Sequence, residues 1–165
     1  MEKTALGIGS NLGDSIRTCL RVFELLRELP GITNVRTSSL YRTKPVGFDA
    51  QDWFTNAVAV FETELDPSAL LDSALGLERA FGRIRTVKWG PRTLDVDILF
   101  YGKRQVHLPN LEIPHPLLHE RLFVLVPLAE VEPGWVHPML GLNVLEMLDR
   151  IPRSADSQEI RKLDI

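Results

Sequence analysis

Asp95 and Asp97 are the residues of this 165-residue chain whose type and spacing point most directly to chemistry. They stand one residue apart in Leu94-Asp95-Val96-Asp97-Ile98-Leu99-Phe100, where Leu94, Val96, Ile98 and Phe100 alternate with them. A period of two is that of a strand, so the acids leave one face and the four apolar side chains the other. At ~3.3 Å per residue the carboxylates emerge roughly 7 Å apart, a spacing that can bracket two metal ions. Magnesium takes hard oxygen ligands, commonly one or two carboxylates with water and substrate phosphates completing the octahedron. A solvated strand face carrying alternating acids has the same pattern, and these two residues alone do not choose between the readings. The preceding segment adds Arg83, Arg85, Lys88 and Arg92, with no acid between Arg79 and Asp95. A magnesium-bound triphosphate needs both kinds of group: carboxylates for the metal, and guanidinium forks for the oxygens that the metal does not reach. A basic run is usually a solvated loop, which leaves Trp89, Gly90 and Pro91 in its middle unexplained.

His115 is fixed between Pro114 and Pro116, and His119 and Arg121 follow at helical spacing. A rigidly held imidazole near a helix start can donate to a phosphate oxygen; the alternative is a loop histidine bonded to backbone. His107 and His137 have no comparable context and are assigned to structural roles. Neither the histidine spacing nor the single cysteine, Cys19, provides a zinc site. Gly7, Gly9 and Gly13 miss the dinucleotide spacing by one residue and fit a tight turn near packed backbone instead. A Walker A lysine is absent, which excludes P-loop kinases without excluding phosphate chemistry.

The elements that must hold these residues follow from periodicity. Thr4, Leu6 and Ile8 read as a first strand running into a turn at Gly9–Gly13. Asp14 or Ser15 caps a helix whose stripe is Ile16, Cys19, Leu20, Phe23, Leu26 and Leu29, stopped by Pro30-Gly31. Residues 34–42 and 56–64 read as second and third strands, joined by an unusually aromatic connection with Phe48, Trp53 and Phe54. Asp66-Pro67 starts a second helix that Gly82 ends, and residues 94–100 are the fourth strand. The order β-α-β-β-α-β predicts an α+β, ferredoxin-like sandwich with two helices on one sheet face and the other face available for a site. Further helices are expected after His115-Pro116 and over about 142–151. A polar, loosely ordered tail is expected from Arg153 to the end.

Composition sets the class. A chain with 44% hydrophobic and 25% charged residues can bury one core, so one domain over residues 1–165 is expected. The formal charge of −3 argues against a nucleic-acid surface, and no run of apolar residues reaches membrane-spanning length. Together with the lone cysteine, these features predict a cytoplasmic protein that recognises phosphates locally and not along an extended surface. A monomer is the expected state. A non-catalytic RNA-binding module on the same fold is the competing reading, but two aspartates on the open face repel phosphates unless metal intervenes.

The segment Trp89-Gly90-Pro91-Arg92-Thr93-Leu94-Asp95-Val96-Asp97-Ile98 resembles the signature of the 6-hydroxymethyl-7,8-dihydropterin pyrophosphokinase family of folate biosynthesis. Gly9–Gly13, Tyr41-Arg42-Thr43 with Pro45 and Gly47, Asn56-Ala57, Glu78 with Gly82-Arg83, and residues 114–125 resemble family blocks in family order. The resemblance implies transfer of the β,γ-pyrophosphoryl unit of ATP to the pterin hydroxymethyl oxygen, giving AMP. It implies two magnesium ions on Asp95 and Asp97, with Arg83, Arg92 and Asp97 as catalytic residues. The nucleotide side would comprise Glu78, Arg85, Lys88, Trp89, Arg92, Ile98, His115 and Arg121. The pterin side would comprise Thr43, Pro45, Val46, Gly47, Phe54, Asn56, Trp89 and Phe123. Lys44 departs from the family pattern where a second proline is frequent, and Pro116 where some members carry an aromatic residue.

Overall fold

Alternating apolar residues and well-placed caps produce most of the elements in the computed structural model, which describes residues 1–45, 52–82, 94–152 and 159–164. Strand β1 (Glu2–Ser10) runs into helix α1 (Ser15–Glu28), where the Asp14 side chain accepts the Arg17 N–H as N-cap. The single segment expected over 34–42 is two strands, β2 (Ile32–Thr37) and β3 (Tyr41–Thr43), both paired with β4 (Phe54–Thr63). The break is at Ser38, whose Oγ accepts the Val58 N–H and donates to the Ser39 carbonyl, displacing regular ladder bonds. Helix α2 (Pro67–Ala80) has Asp66 as its cap and Pro67 in its first turn. Strand β5 (Asp95–Tyr101) leads to a hairpin of β6 (Val106–Leu108) and β7 (Leu111–Ile113). A 3-10 turn at Leu118–Glu120 precedes α3 (Leu122–Val131), and Asn143 with Glu146 forms a capping box for α4 (Val144–Asp149).

The main sheet runs β5-β1-β4-β3 and ends on one further strand, with β2 also on β4 and every described pair antiparallel. Its last strand, β8 (Ile160–Lys162), corrects the expectation of a loose tail for that stretch, because it pairs with the open edge of β3. Residues 153–158 lie outside the described residues.

Two cores sandwich the sheet. On one face Leu6, Ile8, Ala57, Ala59, Phe61, Val96 and Ile98 pack against α1 and α2. On the other, Ala5, Val58, Val60, Leu99 and Phe100 pack against α3, α4 and Trp135. The second face is therefore half covered by the C-terminal helices, not left open along its length. A bulge makes this possible: Ala5 pairs with Phe100 but Leu6 with Ile98, leaving Leu99 as an extra residue. Phe100 thus lies on the face opposite to the one that strict alternation with Ile98 predicts, beside Leu99 in the second core.

Candidate active site

The uncovered half of the second face is built on glycine. Gly9 pairs with Asn56 on one side and Asp95 on the other, and Gly7 with Val58 and Asp97, so these residues share a face. Gly7 and Gly9 lie within β1, in place of the tight turn read from their spacing; the turn comes at Gly13, whose φ is +63°. Gly9 is required by proximity: a Cβ there would sit 2.6 Å from Asn56 Oδ1 and 3.7 Å from Phe54 Cδ1. The Asn56 amide thus reaches across β1, and its Nδ2 donates to Thr43 Oγ1. Both are buried, at 7% and 3% exposure, which is unusual for an amide and a hydroxyl unless they are bonded to each other. Thr43, Phe54 and Asn56, assigned by resemblance to the pterin, are therefore brought together, with Pro45 buried next to them in sequence. Val46 and Gly47 lie outside the described residues.

On the far side of the aspartates is a cleft of about 800 Å³ along the free edge of β5. Glu78, Asp97, Ile98, Asn110, Glu112 and His115 are among its lining residues. The Val96 N–H donates to Glu78 Oε2 at 2.9 Å, so Val96 turns its backbone outward, and by ladder alternation Ile98 does the same. Ile98, buried through its side chain, thus presents backbone rather than side chain to the cleft. Glu78 holds the strand edge from α2 as well as lining the cleft, a role that sequence reasoning missed. The β6–β7 hairpin, which supplies Asn110 and Glu112, was also missed, although Pro109-Asn110 between two short alternating runs is a hairpin signal.

His115 is fixed by its own backbone, its N–H donating to the Leu99 carbonyl at 3.0 Å. Its Nδ1 accepts the Leu117 N–H at 3.2 Å, which leaves Nε2 as the nitrogen that carries the proton. Burial, reinforced by the nearby Arg121 guanidinium and opposed by Asp95, pushes the imidazole down to about 4. It is a neutral donor at physiological pH. Arg121 also lies over the Phe123 ring, 5.3 Å from its centroid, so one residue of each substrate assignment meets at the start of α3. By contrast, His137 Nδ1 accepts the Met139 and Leu140 N–H groups, the structural use expected of it. Arg83, Arg85, Lys88, Trp89 and Arg92 lie outside the described residues.

Among the described residues no group of three or more His, Cys, Asp or Glu side chains converges on a metal position. Asp95 and Asp97 are half-buried on adjacent same-face positions. Two carboxylates with no third such ligand among the described residues are a donor set that fits magnesium better than zinc, since magnesium keeps waters and substrate oxygens in its shell.

The model of the family described as 7,8-dihydro-6-hydroxymethylpterin-pyrophosphokinase (HPPK) matches residues 5–133. The chain belongs to this family. The HPPK relative from Methylorubrum extorquens, named 2-amino-4-hydroxy-6-hydroxymethyldihydropteridine pyrophosphokinase, is 46% identical over 93% of this chain and 96% of its own length. A Synechocystis HPPK of the same name is 40% identical over 91% of this chain and 76% of its own. Among solved structures, Plasmodium falciparum HPPK-DHPS with pteroate superposes with a TM-score of 0.71 at 16% identity, covering 90% of this chain and 42% of that one. This last likeness is one of fold, and the chain spans under half of that HPPK-DHPS molecule. No helix among the described residues is long and apolar enough to cross a membrane.

Proposed function

We propose that this chain transfers the β,γ-pyrophosphoryl group of ATP to the hydroxymethyl oxygen of 6-hydroxymethyl-7,8-dihydropterin, giving the pterin diphosphate and AMP. The observation that carries this reading is the position of the aspartates. They stand between the edge cleft with His115 on one side and the bonded Asn56–Thr43 pair on the other. Asp95 and Asn56 are each one strand from Gly9, so their backbones stand roughly 10 Å apart at ~4.8 Å per strand, with Gly9 adding no side chain of its own beneath the Asn56 amide. A flat bicyclic ring fits that span, with polar edges met by Asn56 and an apolar wall by Phe54.

Asp95 and Asp97 would hold two magnesium ions, which supply charge neutralisation across the triphosphate when bound. His115 donates a hydrogen bond from its Nε2–H to a phosphate oxygen and, being neutral, adds no positive charge beside the metals. The outward backbone of Ile98 offers a donor and an acceptor to the adenine edge. Arg83, Arg85, Lys88 and Arg92 meet the remaining phosphate oxygens, with Arg83 and Arg92 tightest as charge shifts from the β-phosphorus to the departing α-phosphate. Most of the rate enhancement on this reading comes from orientation and fixed electrostatics. A monomer in the cytoplasm belongs to the same proposal and suits the one thiol, Cys19, whose burial pushes it up to about 12.

The test is product identity. Purified protein with ATP, magnesium and the pterin is expected to form AMP and the pterin diphosphate, resolved by ion-exchange chromatography. ADP as product, or AMP formed without the pterin, refutes the reading.

A further inference from the structure

The C-terminal strand β8 and the face of the sheet behind the site are not used by the reaction just described. β8 pairs with β3 in the register Tyr41–Lys162, Arg42–Arg161 and Thr43–Ile160. Its bonds continue beyond the strand: the Lys44 N–H donates to the Glu159 carbonyl at 3.0 Å, and the Leu163 N–H to Leu40 at 2.9 Å. By ladder alternation, Arg42 and Arg161 form the hydrogen-bonded pair between these two. The strand so braced is the one that carries Thr43, the partner of Asn56.

Arg42 and Arg161 point to the face opposite Thr43, into a rear cleft of about 600 Å³ shared with Asn11, Asp14, Asp52 and Trp53. Two like charges directly opposite on neighbouring strands weaken a ladder, so the charge of Arg161 is not explained by its pairing with Arg42. Its guanidinium instead lies over Trp53, 5.6 Å from the ring centroid. Asn11 Nδ2 donates to the Asp52 carbonyl at 3.0 Å, holding the chain just before that ring. Trp53 immediately precedes Phe54, which faces the site beside Gly9. Arg161 therefore grips from behind the residue that sets how Phe54 enters the sheet, while the β8 backbone fixes Thr43.

We infer that β8 positions the acceptor half of the site: the Arg161–Trp53 contact and the β3–β8 ladder set the placement of Phe54, Thr43 and Asn56 and hence affinity for the acceptor, without touching the nucleotide half. The assignment of that half to a pterin rests on the function proposed above. Arg161 is a positioning residue, acting only through its neighbours.

Initial rates of AMP formation are measured with the pterin and with ATP varied separately, for wild type, Arg161→Ala, Arg161→Lys and Arg161→Pro, with a melting curve for each. Arg161→Ala is expected to raise the KM for the pterin about three-fold while leaving the KM for ATP unchanged. Its melting temperature should stay near wild type, because the loss of a like-charge pair offsets the loss of the contact with Trp53; a residue that only stabilised the fold would lower it. Arg161→Lys, which restores a cation over the ring, should recover most of the pterin affinity. Arg161→Pro also loses a ladder bond and should raise the pterin KM about ten-fold or more. Should that variant fail to fold, Arg161→Ala and Arg161→Lys decide the matter alone. Wild-type KM for the pterin in Arg161→Ala, or equal rises for pterin and ATP, overturns the inference while leaving the activity intact. Wild-type protein that forms no AMP refutes the activity and this inference with it.

Discussion

Replacing Gly9 by alanine tests the acceptor pocket with a single methyl group. The new Cβ would stand 2.6 Å from Asn56 Oδ1, and ordinary contact begins at 3.4 Å, so the amide must retreat by about 0.8 Å. It has little room: Asn56 is 7% exposed and its Nδ2 is bonded to Thr43. Retreat strains or breaks that bond, a loss of about 1 kcal/mol, and overpacking adds about 1 kcal/mol more. The melting temperature should fall by about 4–8 °C, taking about 2–4 °C per kcal/mol for a chain of this size. The KM for the pterin should rise about ten-fold or more, since both polar groups proposed to meet the ring move, while the KM for ATP holds. Gly7→Ala is the internal control. It lies on the same strand and face, but the nearest atoms to its Cβ would be those of the Leu99 side chain, the methyls at 3.4 and 3.5 Å, so both constants should stay near wild type. The assay is steady-state AMP formation with each substrate varied, beside a thermal melt of each variant. A Gly9→Ala enzyme with wild-type pterin KM would refute the argument that Asn56, held across β1, recognises the acceptor.

Asp97→Ala should nearly abolish AMP formation while the circular dichroism spectrum is retained, and chelation of magnesium should silence the wild type; full activity in either experiment removes the metal pair from the mechanism. Arg92→Ala should lower kcat far more than it weakens pterin binding measured by calorimetry, as for a contact made chiefly in the transition state. Glu78→Ala should destabilise the protein by about 1–3 kcal/mol in urea titration by leaving the Val96 N–H unpaired, and Glu78→Gln, which keeps an acceptor, by much less. His115 gives a pH signature. Its folded pKa of about 4 lies below the unfolded value near 6.5, so the unfolded chain binds the extra proton between them. Stability is therefore lost as pH falls from about 6.5 to 4, and His115→Asn should show a flatter melting temperature across that window.

The strand of Asp95 and Asp97 was legible because period-two alternation up to Ile98 and acids on the polar phase survive without tertiary help, and both helix starts were legible because Asp14 and Asp66 cap through bonds local to the sequence. What was not legible depends on partners distant in the chain. Ile160-Arg161-Lys162 has too little pattern to announce a strand and becomes one only where β3 offers an edge. Gly7 and Gly9 looked like turn glycines because nothing nearby shows that an amide 47 residues away would reach over the second of them. Glu78 read as a nucleotide contact because the Val96 N–H that it accepts comes from a strand edge that exists only once the sheet has formed. The resemblance supplied substrate roles for Thr43 and Asn56, but not the bond that ties them together.

The extra residue at Leu99 fixes a phase between two distant parts of the molecule. Upstream of it, odd-numbered positions of β5 face the site; downstream, Phe100 takes that face and Tyr101 the opposite one. Removing Leu99 itself would close the bulge, leaving Asp95 and Asp97 where they are and Phe100 still on the face of Trp135, on which it stacks at 5.0 Å; what would be lost is a buried leucine from the seat of α3. Since α3 also carries Phe123, and Arg121 precedes it, that loss would be felt at the wall of the site and not at its acids. A residue added between Asp97 and Phe100 beyond the one already there would instead turn Phe100 to the other face, whereas Lys103 to Gln105, beyond the bulge and exposed, can take insertions without disturbing either face.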